Sequence, residues 1–125
     1  MLLFVKTTHA AQIQLSGNDP NLVAVEFSGE IKPADFDALR RLIEPRLSTN
    51  NSFRWFLLNS NGGDVATAMK IGRYIRTLDF DTSVASNAHC LSSCVFIFAA
   101  GNNRSTSKNN LGIHRPFRTS VGSVS

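Results

Sequence analysis

Phe53-Arg54-Trp55-Phe56-Leu57-Leu58-Asn59 is a near-continuous apolar run, and it passes directly into Asn59-Ser60-Asn61-Gly62-Gly63-Asp64. The run has the length of a strand. Its lack of alternation predicts burial on both faces, as in parallel sheets flanked by helices. The adjacent glycines allow backbone conformations that other residues avoid, and they let a ligand approach the main chain. Asp64 then opens a helix whose apolar face is Val65, Ala68, Met69, Gly72 and Ile75, with the signal fading near Thr77.

The same alternation of elements extends outward on both sides. Upstream, Gln12-Ile13-Gln14-Leu15 alternates as a short strand, and Gly17-Asn18-Asp19-Pro20 carries turn chemistry. Leu22-Val23-Ala24-Val25-Glu26-Phe27 reads as a strand ended by Ser28-Gly29. Pro33, Asp35 and Asp37 suit the first turn of a helix, Phe36, Leu39, Leu42 and Ile43 form its stripe, and Pro45 disrupts its far end. Downstream, Thr82-Ser83-Val84-Ala85-Ser86 predicts a third core strand, Ser92 to Ala100 a helix, and Leu111-Gly112-Ile113-His114 a last short strand. Strands alternating with helices argue for an α/β layered fold with a mostly parallel sheet.

At 125 residues the chain suits one domain, and 42% hydrophobic with 18% charged residues is a globular balance. The net charge of +4 is modest. Lys70, Arg73 and Arg76 follow one helix face, and Arg104, Lys108, Arg115 and Arg118 gather near the C-terminus. They come without the interleaved aromatics or motif of a nucleic-acid site, so they read as solvated faces and nucleic acid is not expected as a partner. No apolar stretch approaches the ~18 residues that span a bilayer, and membrane association is not expected. Residues 1–10 begin with the short apolar Met1-Leu2-Leu3-Phe4-Val5 and read as a signal-peptide remnant or a disordered start. Residues 119–125 read as a frayed tail, leaving 11–118 as the domain.

Three parts carry chemistry. Gly62-Gly63 follows one buried strand, Ser92 and Ser93 open an apolar helix after the next, and His114 closes the last. In parallel α/β sheets active groups gather at the carboxyl ends of strands, where all three parts would lie. A helix start offers free N–H groups to an oxyanion, and histidine can activate a serine. Cys90 and Cys94 are the only cysteines. In a regular helix a pair four apart faces one way, but disulfide geometry there is demanding, so they read as small buried thiols. A disulfide would call for an oxidising compartment. A metal site from His89, Cys90, Cys94 and His114 matches zinc spacings poorly, and no cofactor is expected.

The joint order resembles the Clp protease proteolytic subunit and its relatives in the ClpP/crotonase superfamily, including SppA-like proteins. Asn59-Ser60-Asn61-Gly62-Gly63 is similar to the family's Asn-Ser-Pro-Gly-Gly, with Asn61 in place of proline, and Ile113-His114-Arg115-Pro116 to its Ile-His-Gln-Pro. Cys90-Leu91-Ser92-Ser93-Cys94 is similar to the Cys-x-Ser-x-Cys segment of an exported subgroup. The likeness covers roughly Leu22 to Phe117. It implies a serine peptidase acting on peptides or proteins through an acyl-enzyme, without metal or cofactor, and a homo-oligomer. The family's nucleophile lies nine residues before the glycine that ends its helix. Ser92 holds that place before Gly101, whereas Ser93 is eight before. The resemblance thus implies Ser92 as nucleophile, His114 as base, and the N–H groups of Ser93 and the Gly62-Gly63 pair as oxyanion hole.

The resemblance also implies an aspartate well downstream of the histidine, and Arg115 to Ser125 contains no Asp or Glu. The expectation is a fragment of a longer peptidase, or a short member with impaired activity. Relatives of this kind are periplasmic or exported, whereas the start as written would leave the chain cytoplasmic. An incomplete layer would expose apolar surface along Val95, Phe96 and Phe98. The competing reading is a non-catalytic binding or assembly module on the same fold. A crotonase-type acyl-CoA enzyme is a third, but that branch needs neither Ser92 nor His114 at these places.

Overall fold

A computed structural model describes residues 11–107 and 109–112. The elements are β1 (Gln12–Leu15), β2 (Leu22–Ser28), α1 (Asp35–Ile43), β3 (Phe53–Asn59), α2 (Val65–Thr77), β4 (Asp81–Val84), β5 (Cys90–Leu91), α3 (Cys94–Ala99), β6 (Arg104–Thr106) and β7 (Leu111–Gly112). The main sheet has the order β1-β2-β3-β4-β6. β2, β3, β4 and β6 run parallel, and β1 pairs antiparallel at the edge. The mixed α/β class with a mostly parallel sheet is therefore as expected.

One face of the sheet forms the core. Val23, Val25 and Phe27 of β2 stand beside Phe56 and Leu58 of β3, and all five are buried. Leu39 and Ile43 of α1 and Ala68, Ile71 and Ile75 of α2 join the same cluster. Phe56 meets Phe80 edge-on with ring centroids 6.1 Å apart and tilts against Phe27 at 6.0 Å. Pro45 acts as expected, since α1 gives way to a 3-10 turn over Glu44–Arg46.

The second face corrects the reading of β3. Phe53 is 66% exposed and Trp55 43% exposed, so β3 is not covered on both sides by the described residues. The strand alternates in burial although its sequence does not alternate in polarity. A second correction concerns the late elements. Leu111–Gly112 does not join the main sheet but pairs in parallel with Cys90–Leu91 in a two-stranded sheet of its own. The edge position goes to β6, whose residues are all exposed and polar. Exposed apolar surface includes Phe96 as expected, but Phe98 is buried in the core, and Val65 and Met69 of the supposed buried face of α2 are exposed.

Candidate active site

The Gly62-Gly63 segment is built into the fold by backbone pairing. Ile31 donates its N–H to the Gly62 carbonyl and accepts from the Asp64 N–H, both at 2.9 Å. Gly63 lies so close to Ile31 that an added Cβ would fall 2.6 Å from the Ile31 nitrogen. At Gly62, with φ +110°, a Cβ would fall 2.9 Å from the Ser92 Cβ. Only glycine fits either position, and the reason is contact as well as φ. The loop therefore rests directly on the serine turn.

Ser60 joins the two sheets. It is buried, its N–H donates to the His89 carbonyl at 2.8 Å, and its carbonyl accepts from the Leu91 N–H at 2.9 Å. Its Oγ accepts the Gly62 N–H at 3.0 Å. β5 is thereby held at the carboxyl end of β3, and the serine turn follows.

The turn differs from the expected helix start. α3 begins at Cys94, so Ser92 and Ser93 precede it. Ser92 has φ +54°, a left-handed conformation uncommon for serine, and it is exposed. Its N–H donates to the Gly112 carbonyl at 2.9 Å, and its own carbonyl accepts from Val95 N–H at 3.0 Å. Ser93 occupies the N-cap position but caps nothing. Its side chain is turned inward, where Oγ accepts the Gly63 N–H at 2.9 Å and donates to the Gly63 carbonyl at 3.1 Å. Among the described residues, the Ser93 N–H has no acceptor.

Cys90 and Cys94 are not free thiols. They form a disulfide that brackets Ser92, with Cα atoms 5.3 Å apart. The helical objection fails because Cys90 is in a strand and Cys94 starts a helix, and the turn between brings them together. Oxidation also removes both as metal ligands. Among the described residues, no group of three His, Cys, Asp or Glu side chains could hold a metal.

A cleft of about 440 Å³ opens beside the glycines, lined by Ser28, Glu30, Asn59, Ser60, Gly62, Gly63 and His89 among others. It lies at the carboxyl ends of β2 and β3, as strand order predicts. In the sequence His89 stands out only as a metal ligand and Ser60 only as a member of the glycine segment, because the backbone bond that joins them leaves no side-chain signal. His114 lies outside the described residues. Asp64, the carboxylate nearest the glycines in sequence, caps α2. Its Oδ2 accepts from Thr67 N at 3.0 Å and Thr67 Oγ1 at 2.6 Å, and these bonds hold its carboxyl below the usual range. Among the described residues, no helix is long and apolar enough to cross a membrane. A comparison with protein-family models finds none that matches this chain, and no curated protein matches it.

Proposed function

We propose that the chain is a ClpP-like serine peptidase domain, with Ser92 as nucleophile and His114 as base. The observation that carries this is the Ser92 turn. A serine at positive φ, exposed between a strand end and a helix start, is how α/β hydrolases present a nucleophile. Ser93 is the poorer candidate, because it is buried and its hydroxyl is spent on Gly63. His114 lies two residues beyond Gly112, whose carbonyl holds the Ser92 N–H.

In this reading the Ser92 Oγ attacks the scissile carbonyl carbon, and its proton passes to His114. The tetrahedral oxyanion is received by the Ser93 N–H and an N–H of the Gly62-Gly63 pair. The C–N bond then breaks, and His114 returns the proton to the leaving amine. Water hydrolyses the acyl-enzyme by the reverse sequence of proton transfers. Peptides and proteins are the substrate class in this reading.

The test is covalent labelling with a fluorophosphonate, in which the Ser92 Oγ–P bond forms as fluoride leaves. Labelling is expected on the parent chain and on Ser93→Ala, and it should vanish in Ser92→Ala. Equal labelling of the two variants would sink the assignment. The alternative, a non-catalytic assembly module, draws on the bare Phe53 and Trp55 face, and it predicts no labelling of any variant.

A further inference from the structure

We infer that the Ser93 side chain is a lock on the oxyanion donor of Gly63, an inference that rests on the peptidase reading above. An N–H group has one proton. The Gly63 proton is directed at Ser93 Oγ at 2.9 Å, and the same hydroxyl gives its own proton to the Gly63 carbonyl at 3.1 Å. The neighbouring donor is also engaged, since the Gly62 N–H donates to Ser60 Oγ at 3.0 Å. Of the three N–H groups assigned to the oxyanion hole, only that of Ser93 lacks an acceptor among the described residues. The resting site therefore offers one open donor where the mechanism wants two.

The lock is held firmly. Ser93 is 3% exposed, so a hydroxyl turned away from Gly63 trades two hydrogen bonds for a buried, unpaired state. The turn cannot relax to release it, because Cys94 is tied to Cys90 and the Ser92 N–H is tied to Gly112. A neutral carbonyl of a bound substrate would compete poorly with this clasp. A developing oxyanion competes better, since a charged acceptor makes the stronger hydrogen bond. The hydroxyl thus withholds a donor from the ground state and yields it as charge appears, at a cost in rate. Ser93 acts here through Gly63, as a positioning residue, and its backbone keeps the separate role already assigned.

Removing the hydroxyl should open the site. Ser93→Ala retains the Ser93 N–H, and Gly63 is exposed, so water can take over its carbonyl. Two measurements on the full chain test this: fluorophosphonate labelling rate at Ser92, and hydrogen exchange of the Gly63 amide. In Ser93→Ala the amide is expected to exchange about tenfold faster. Labelling should accelerate by about tenfold or more, within the ~10²–10³ that one oxyanion donor is worth. Ser93→Thr keeps a hydroxyl and should keep the Gly63 amide protected. If Ser93→Ala melts like the parent and still labels at Ser92, but no faster, the lock is wrong and the peptidase reading survives. If neither protein labels at Ser92, the peptidase reading fails and the lock falls with it. Unchanged Gly63 exchange in Ser93→Ala would also overturn the lock.

Discussion

Ser92 is held by a neighbour that has no side chain. An alanine at Gly62 would place a methyl group 2.9 Å from the Ser92 Cβ and 3.0 Å from the Leu91 carbonyl, at φ +110°. Gly62→Ala is expected to abolish phosphonate labelling and lower the melting midpoint, because backbone on both sides must move. Labelling at the parental rate would show that the contact between loop and turn is irrelevant to the serine. Asp35 offers a test of a different kind. It is fully buried, with Oδ2 accepting the Lys32 N–H at 2.7 Å and the Ala11 N–H at 3.4 Å, and Oδ1 without a partner. Burial pushes its carboxyl above the usual range, and those bonds and the Lys32 charge offset only part of that. A raised native pKa means that the folded state holds the proton longer than the unfolded one. The carboxylate therefore costs stability as pH rises through that window. Asp35→Asn keeps an acceptor and removes the charge. Its melting midpoint should gain on the parent as pH is raised from about 4 to about 7, and a gap that shrinks would refute the assignment. Asp64 works in the opposite sense, since the Thr67 side chain and then its backbone N–H hold its carboxyl low, so its contribution is lost on acidification.

The turn from β5 to α3 is where sequence and structure part most clearly. The longer elements were legible. β2 and β3 announce themselves by apolar runs, α1 and α2 by a stripe, and Gly62-Gly63 by a glycine pair between strand and helix. β5 and β6 were not, because each is two or three residues long and is held by backbone bonds that leave no pattern in side chains, whereas Leu111–Gly112 reads as a strand and only its pairing with β5 is hidden. Cys90 and Cys94 read as thiols only on the premise that both lie in one regular helix. With Cys90 in a strand and Cys94 at the helix start, the turn between them makes four-residue spacing a workable bridge. The disulfide closes a very short loop, and loop-closure entropy for a loop of that size is worth about 2 kcal/mol. Reduction, or the pair Cys90→Ala and Cys94→Ala, is expected to destabilise the chain by about that amount. It should slow labelling of Ser92 more than the unfolded fraction explains, because the left-handed turn loses its clamp. Labelling that follows the folded fraction alone would mean that the bridge is purely structural.

At the scale of the molecule, the sheet is finished on one side only among the described residues. Phe53 and Trp55 line an apolar groove of about 450 Å³ with Leu22, the β2 register partner of Phe53, and the groove is edged by Asp81, Arg104 and Ser105. On the opposite face, Phe56 and its neighbours are sealed by α1 and α2. A strand whose sequence is near-continuously apolar but whose structure is half bare has surface to bury, and contiguous apolar patches of this kind drive association. A second copy of the chain is the occupant this predicts, in line with the homo-oligomer implied by the resemblance. Sedimentation velocity over a concentration series should show mass rising above the monomer. Trp55→Glu places a charge in the middle of the groove without touching the core, since Trp55 is 43% exposed, and should return the chain to monomer with its melting midpoint nearly unchanged. The groove lies at the opposite end of β3 from the glycine loop, so the monomeric variant should label at Ser92 at the parental rate. A parent chain that sediments as a monomer at every concentration would remove the case for association through this face.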